Sequence, residues 1–142
     1  MEKQKFKIEI GAPREKVWET LWGETSYPAW TAAFAEGSSV KTDWKKGSKA
    51  LFLDAKNEGM VSTIEDNKPN EFMSIKHLGV VKNGVEELGQ EWSGGLENYT
   101  LSTVDGKTEL TVDLDAPDEF RDYFQNTFPK ALDKLKELAE KN

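Results

Sequence analysis

At 142 residues the chain has the length of one domain, enough to bury about 68–70% of the surface its unfolded form exposes. Its 19 Lys and Arg against 26 Asp and Glu leave a net charge of −7, which repels a phosphate backbone and excludes nucleic acid as a partner. There is no cysteine, so disulfides, thiolate nucleophiles and cysteine metal sites are excluded as well.

The remaining composition argues for a packed core. Five Trp, seven Phe and three Tyr supply large burial per residue although only 37% of the chain is apolar. The dense basic runs are Lys45-Lys46 and the tail lysines Lys130, Lys134, Lys136 and Lys141, the latter interleaved with acids. MEKQKFKIEI has no signal-like apolar core, and no stretch approaches the roughly 18 apolar residues of a spanning helix. The expectation is a single-domain cytoplasmic protein without membrane insertion, in which the Asn98-Tyr99-Thr100 sequon is a chance match.

In chain order, Phe6-Lys7-Ile8-Glu9-Ile10 alternates strictly and reads as a strand with three apolar side chains on one face. Gly11-Ala12-Pro13 ends it. Val17, Trp18, Leu21 and Trp22 then form the apolar stripe of a short helix ending near Gly23, and Ser26-Tyr27-Pro28 starts a second short helix carrying Trp30. From residue 37 to about 114 the punctuation is that of an antiparallel meander, broken at Lys46-Gly47, Asn57-Glu58-Gly59, Asn67-Lys68-Pro69-Asn70, Lys82-Asn83-Gly84 and Asp105-Gly106. Asp105-Gly106, between YTLSTV and KTELTVDL, has the composition of a two-residue hairpin turn with positive φ at both positions.

The segment VKNGVEELGQEWSGG reads as a long connection able to fold over a cavity mouth. Asp115-Ala116-Pro117-Asp118 then offers a carboxylate cap and an early proline for a C-terminal helix. In that helix Phe120, Tyr123, Phe124, Phe128, Ala131, Leu132, Leu135 and Leu138 form one stripe, and Pro129 predicts a kink or break near Thr127-Phe128. The order is strand, two short helices, about six more strands and a long helix. This is an α+β domain whose curved antiparallel sheet, of about six or seven strands, wraps around the last helix.

Five segments, IEIGAPREKVWETL, Tyr27-Pro28-Ala29-Trp30, KKGSKALFL, GMVSTIEDNKPNEFMSIKH and YTLSTVDGKTELTV, occur in the order and spacing of a known superfamily. The chain resembles the helix-grip, START-like proteins (SRPBCC), which include polyketide cyclases and the birch-pollen allergen group. Its nearest likeness is to the branch related to the C-terminal domain of activators of the heat-shock-90 ATPase. It departs from that pattern where a block ending in paired prolines is usual and only Pro69 stands. The resemblance implies an apolar or amphipathic small molecule held between the sheet and the last helix, with no cofactor.

Alternation selects candidate ligand residues on those elements. Met73, Ile75 and His77 share the better core face of FMSIKHLGVV, and Tyr99 and Leu101 share the inner face of the next strand. For KALFLDA, the choice between Leu51 with Leu53 and Phe52 with Asp54 stays open. One reading is a pocket in which His77, Tyr99 and Tyr123 are polar handles among walls built from Trp30, Trp92, Phe124 and Phe128. The other is a filled core with a hydrogen-bonded histidine. Trp92, beside Ser93-Gly94-Gly95, is either a lid or a side chain tucked against the sheet.

No HExxH, GxSxG or nucleotide-binding glycine motif occurs. Catalysis, if any, falls to His77 or to a buried carboxylate such as Asp54 or Glu91. Small-molecule binding comes first, a cyclase- or hydrolase-like enzyme second. A chaperone-activating protein partner comes third, because the activators carry a further N-terminal domain for which 142 residues leave no room.

Overall fold

A computed structural model of the chain describes residues 2–141. The first strand, β1 (Glu2–Ile10), points Phe6, Ile8 and Ile10 inward, as its alternation requires. Helices α1 (Arg14–Trp22) and α2 (Ser26–Thr31) follow, with Gly23 capping α1. The chain then runs through β2 (Ser39–Lys41), β3 (Lys49–Leu53), β4 (Gly59–Lys68), β5 (Phe72–Lys82), β6 (Val85–Leu88), β7 (Leu96–Val104) and β8 (Lys107–Ala116). A single 3-10 turn at Asp118–Phe120 leads into α3 (Arg121–Glu140).

The strands form one antiparallel sheet in the order β1-β8-β7-β5-β4-β3-β2, with β6 pairing β5 off this path. Asp105 and Gly106, at φ 52° and 78°, make the expected hairpin turn between β7 and β8. Register shifts in β4 at Val61/Ser62 and Ile64/Asp66 mark bulges, which bend and twist a strand and so help curve the sheet around the helix. The inner face carries the core, including Ile10, Ile64, Met73, Leu110 and Val112. On the outer face Lys3, Lys5 and Lys7 pair with Asp115, Asp113 and Glu109, exposed bridges of small energetic worth.

Helix α3 makes its closest backbone approaches to β1, α1 and α2. Phe128 stacks on Phe6 at 4.7 Å, and Ala131, Leu132 and Leu135 are buried behind it. At the far end the Glu140 carboxylate accepts the Gly11 N–H at 2.6 Å, tying the helix to the corner after β1.

Three expectations are corrected. Asn83 and Gly84, at φ 53° and 77°, close a β5–β6 hairpin where a loop was expected, which brings the strands among the described residues to eight. Helix α3 runs through Pro129 without a break. Both Pro129 and Gln125, whose carbonyl loses its donor, are exposed, so the missing bond falls on the solvent-facing side of the helix. Asp115 does not cap a helix. It lies in β8, where its carboxylate accepts the Leu96 N–H at 3.1 Å.

Candidate functional site

Because α3 lies closest to β1 and the two short helices, the sheet over β3, β5 and β7 is left partly uncovered. A cavity of about 520 Å³ occupies this region. Trp30, buried and donating its indole N–H to the Leu21 carbonyl at 3.0 Å, forms one wall. Phe124 and Phe128 of α3 form another, Ile75 and His77 of β5 the sheet side, and Trp92 lies on the lining between β6 and β7. Tyr123 sits at the exposed edge, 44% accessible, with its hydroxyl donating to the Phe34 carbonyl at 3.2 Å.

Eight of the ten sequence-selected residues therefore line one space. Met73 and Leu101 do not. Both are buried at the end of the sheet where α1 covers the strands with Val17 and Leu21, so their correct inward orientation places them in packed core. The open choice in β3 is settled by the pairing. Phe52 faces inward, with its ring 6.2 Å from His77 and 6.3 Å from Tyr27, while Asp54 lies at the lining and uses Oδ1 to accept the N–H groups of Lys56 and Glu58 in a turn.

The polar centre of the wall is a chain of side chains on three neighbouring strands. His77 Nδ1 meets the Ser62 hydroxyl at 2.7 Å, and His77 Nε2 meets Glu97 Oε1 at 2.8 Å. The Tyr99 hydroxyl donates to Glu97 Oε2. An ionised carboxylate only accepts, so Glu97 requires the proton on Nε2. Nδ1 is left to the Ser62 hydroxyl, which can donate or accept.

Burial opposes the charge on Glu97. The hydrogen bond from His77 and its electrostatic attraction, with the Tyr99 hydroxyl, outweigh it and hold the carboxyl below its usual range. Burial, reinforced by the charge of Glu97, raises the hydroxyls of Tyr99 and Tyr27 well above the tyrosine value of 10.0. Both stay protonated donors. The Tyr27 ring lines the cavity, 5.7 Å from Trp30.

The serine–histidine–glutamate order has the outline of a nucleophilic triad, but the geometry does not serve one. Ser62 is 0% exposed and does not line the cavity, and both nitrogens of His77 are already engaged. The carboxylate of the polar chain is Glu97; Asp54 lines the cavity but is engaged in its own turn, and Glu91 is exposed. The alternation that turned Tyr99 and Leu101 inward also turns Glu97 inward, so the signal was present in the strand. Tyr27, Trp22 and Phe52 are further lining residues that were not selected.

The Trp92 turn is held to β5. Gly94 donates to the His77 carbonyl at 2.8 Å, His77 donates to Gly95 at 3.0 Å, and the Ser93 hydroxyl reaches the Leu78 carbonyl at 2.7 Å.

A curved antiparallel sheet closed over a C-terminal helix, with short helices after the first strand, defines an α+β helix-grip domain. The family described as "Activator of Hsp90 ATPase homolog 1-like protein" matches residues 11–140, and the chain belongs to it. No curated protein matches the chain in sequence. Among solved structures, the Aha1 dimer from Colwellia psychrerythraea is similar, at 18% identity and a TM-score of 0.77 over 99% of this chain and 97% of that one. DynU16, from the dynemicin biosynthetic locus, has 14% identity and a TM-score of 0.76 over 99% of this chain, which spans 48% of DynU16. CalU16 from Micromonospora echinospora has 14% identity and a TM-score of 0.72 over 97% of this chain and 65% of that one. These likenesses establish the shared fold.

Proposed function

We propose that the chain is a small-molecule-binding domain whose apolar or amphipathic ligand sits between the sheet and α3. The observation that carries this reading is the cavity of about 520 Å³, which falls within the roughly 300–1,000 Å³ typical of ligand sites. Its walls also combine aromatic rings with a few convergent polar groups, the mixture that both buries and orients a ligand. The buried Ser62 and the doubly bonded His77 favour binding over turnover.

Titration with Nile red, an apolar fluorophore, tests it. Saturable one-to-one binding with quenched tryptophan emission is expected, weakened by Trp92→Ala and by Tyr123→Ala. Absence of saturable uptake would count against the cavity as a ligand site.

A further inference from the structure

The charged side chains on the cavity lining are unevenly signed. Asp54, Glu58 and Glu97 line it, as does Asp115, whose carboxylate pairs with Lys3 on the outer face, and among the described residues no lysine or arginine does. His77 is the one basic side chain there, and it is not available to an incoming anion. Its Nε2 is directed to Glu97 and its Nδ1 to Ser62, with both contacts at 2.8 Å or less. A carboxylate or phosphate entering this space would meet no free cation and would be brought close to the negative charge of Glu97.

The same wall favours the opposite charge. Tyr27 stands 5.7 Å from Trp30 and 6.3 Å from Phe52, and Trp22 stands 5.0 Å from Tyr99, centroid to centroid. A ring whose face borders such a space attracts a cation. Glu97 accepts from His77 and Tyr99, yet a carboxylate has about four acceptor positions, so capacity remains for another donor. The hydroxyl of Tyr27, which also lines the cavity, supplies another acceptor.

We propose that the cavity selects an organic cation, an apolar body bearing one protonated amine whose N–H groups reach Glu97 and the Tyr27 hydroxyl between aromatic faces. The inference rests on the cavity being a ligand site and adds the charge of the ligand. A matched series separates the two: phenylbutylamine, phenylbutanol and phenylbutyrate share one apolar body and differ in the charge of the head group. By calorimetry at neutral pH the amine should bind about tenfold more tightly than the alcohol, and the acid more weakly than either.

Glu97→Gln should bring the amine to within about twofold of the alcohol. Because that change also disturbs the polar chain, Glu58→Gln is the second variant. It should narrow the preference for the amine over the alcohol. Phenylbutyrate binding as tightly as phenylbutylamine overturns the inference. Nile red binding without an amine preference overturns the charge inference alone, whereas loss of Nile red binding as well removes the cavity reading beneath it.

Discussion

Glu97 is the side chain on which the polar wall depends, since it anchors both His77 and Tyr99. Replacing it with Gln keeps the shape but removes the charge that both donors face, and should cost about 2 kcal/mol of stability. The same charge makes stability depend on acid. The folded carboxyl titrates below the ordinary glutamate value, so its contribution is complete above about pH 4.3 and disappears as pH falls through the folded value. Thermal melts of wild type and Glu97→Gln should therefore differ most at neutral pH and converge in acid. A difference that stays constant from neutral pH to about pH 3 would deny Glu97 its depressed titration.

At the scale of elements, the β5–β6 hairpin depends on a close approach. A Cβ at Gly79 would lie 2.0 Å from the Glu87 carbonyl oxygen, backbone that cannot swing aside. Gly79→Ala should destabilise the protein by about 1–3 kcal/mol, read by urea titration, and should raise amide exchange in Val85–Leu88 before the rest of the sheet. That hairpin was also the least legible strand in the sequence. Val85, Glu86, Glu87 and Leu88 are all exposed, so no buried face imposes an alternation, and their strand character comes from pairing with β5.

Where one face is buried, the pattern was readable. His77 and Tyr99 followed from alternation, α1 from its apolar spacing and α2 from the start signal at Ser26-Tyr27-Pro28. Glu97 was hidden by its charge, because burial of a carboxylate is rational only once its donors on neighbouring strands are known. Phe52 was hidden by apolar neighbours on both faces of β3. Pro129 was misleading for a third reason: its missing N–H matters only if the carbonyl it orphans is shielded from water.

For the whole molecule, the decisive quantity is the open volume, which no local pattern encodes. It depends on where α3 rests, and α3 rests nearest β1 and the short helices. A ligand that binds only the folded form should stabilise it by about 2.7 kcal/mol at a hundredfold excess over its dissociation constant. A saturating, concentration-dependent rise in melting temperature with phenylbutylamine is the expected result. No rise at any concentration would mean that the space does not hold that ligand. Mobility enters at this scale too. The Trp92 turn is tied to β5 at three points, whereas Tyr123 and Phe34 meet through one 3.2 Å hydrogen bond at the opposite, exposed edge.

The aromatic wall also has an optical consequence. Trp22 lies 6.1 Å from Trp18 and 4.8 Å from Trp44, with the ring planes inclined at 77° and 47°. Indoles this close and this far from parallel exchange excitation and couple their transitions. The far-ultraviolet dichroism will carry an aromatic couplet on top of the backbone bands, so helix content read from it will be biased. Excitation absorbed by Trp18 or Trp44 can also migrate to Trp22 on the cavity lining, so an occupant that quenches one ring darkens several, and the fold carries its own antenna.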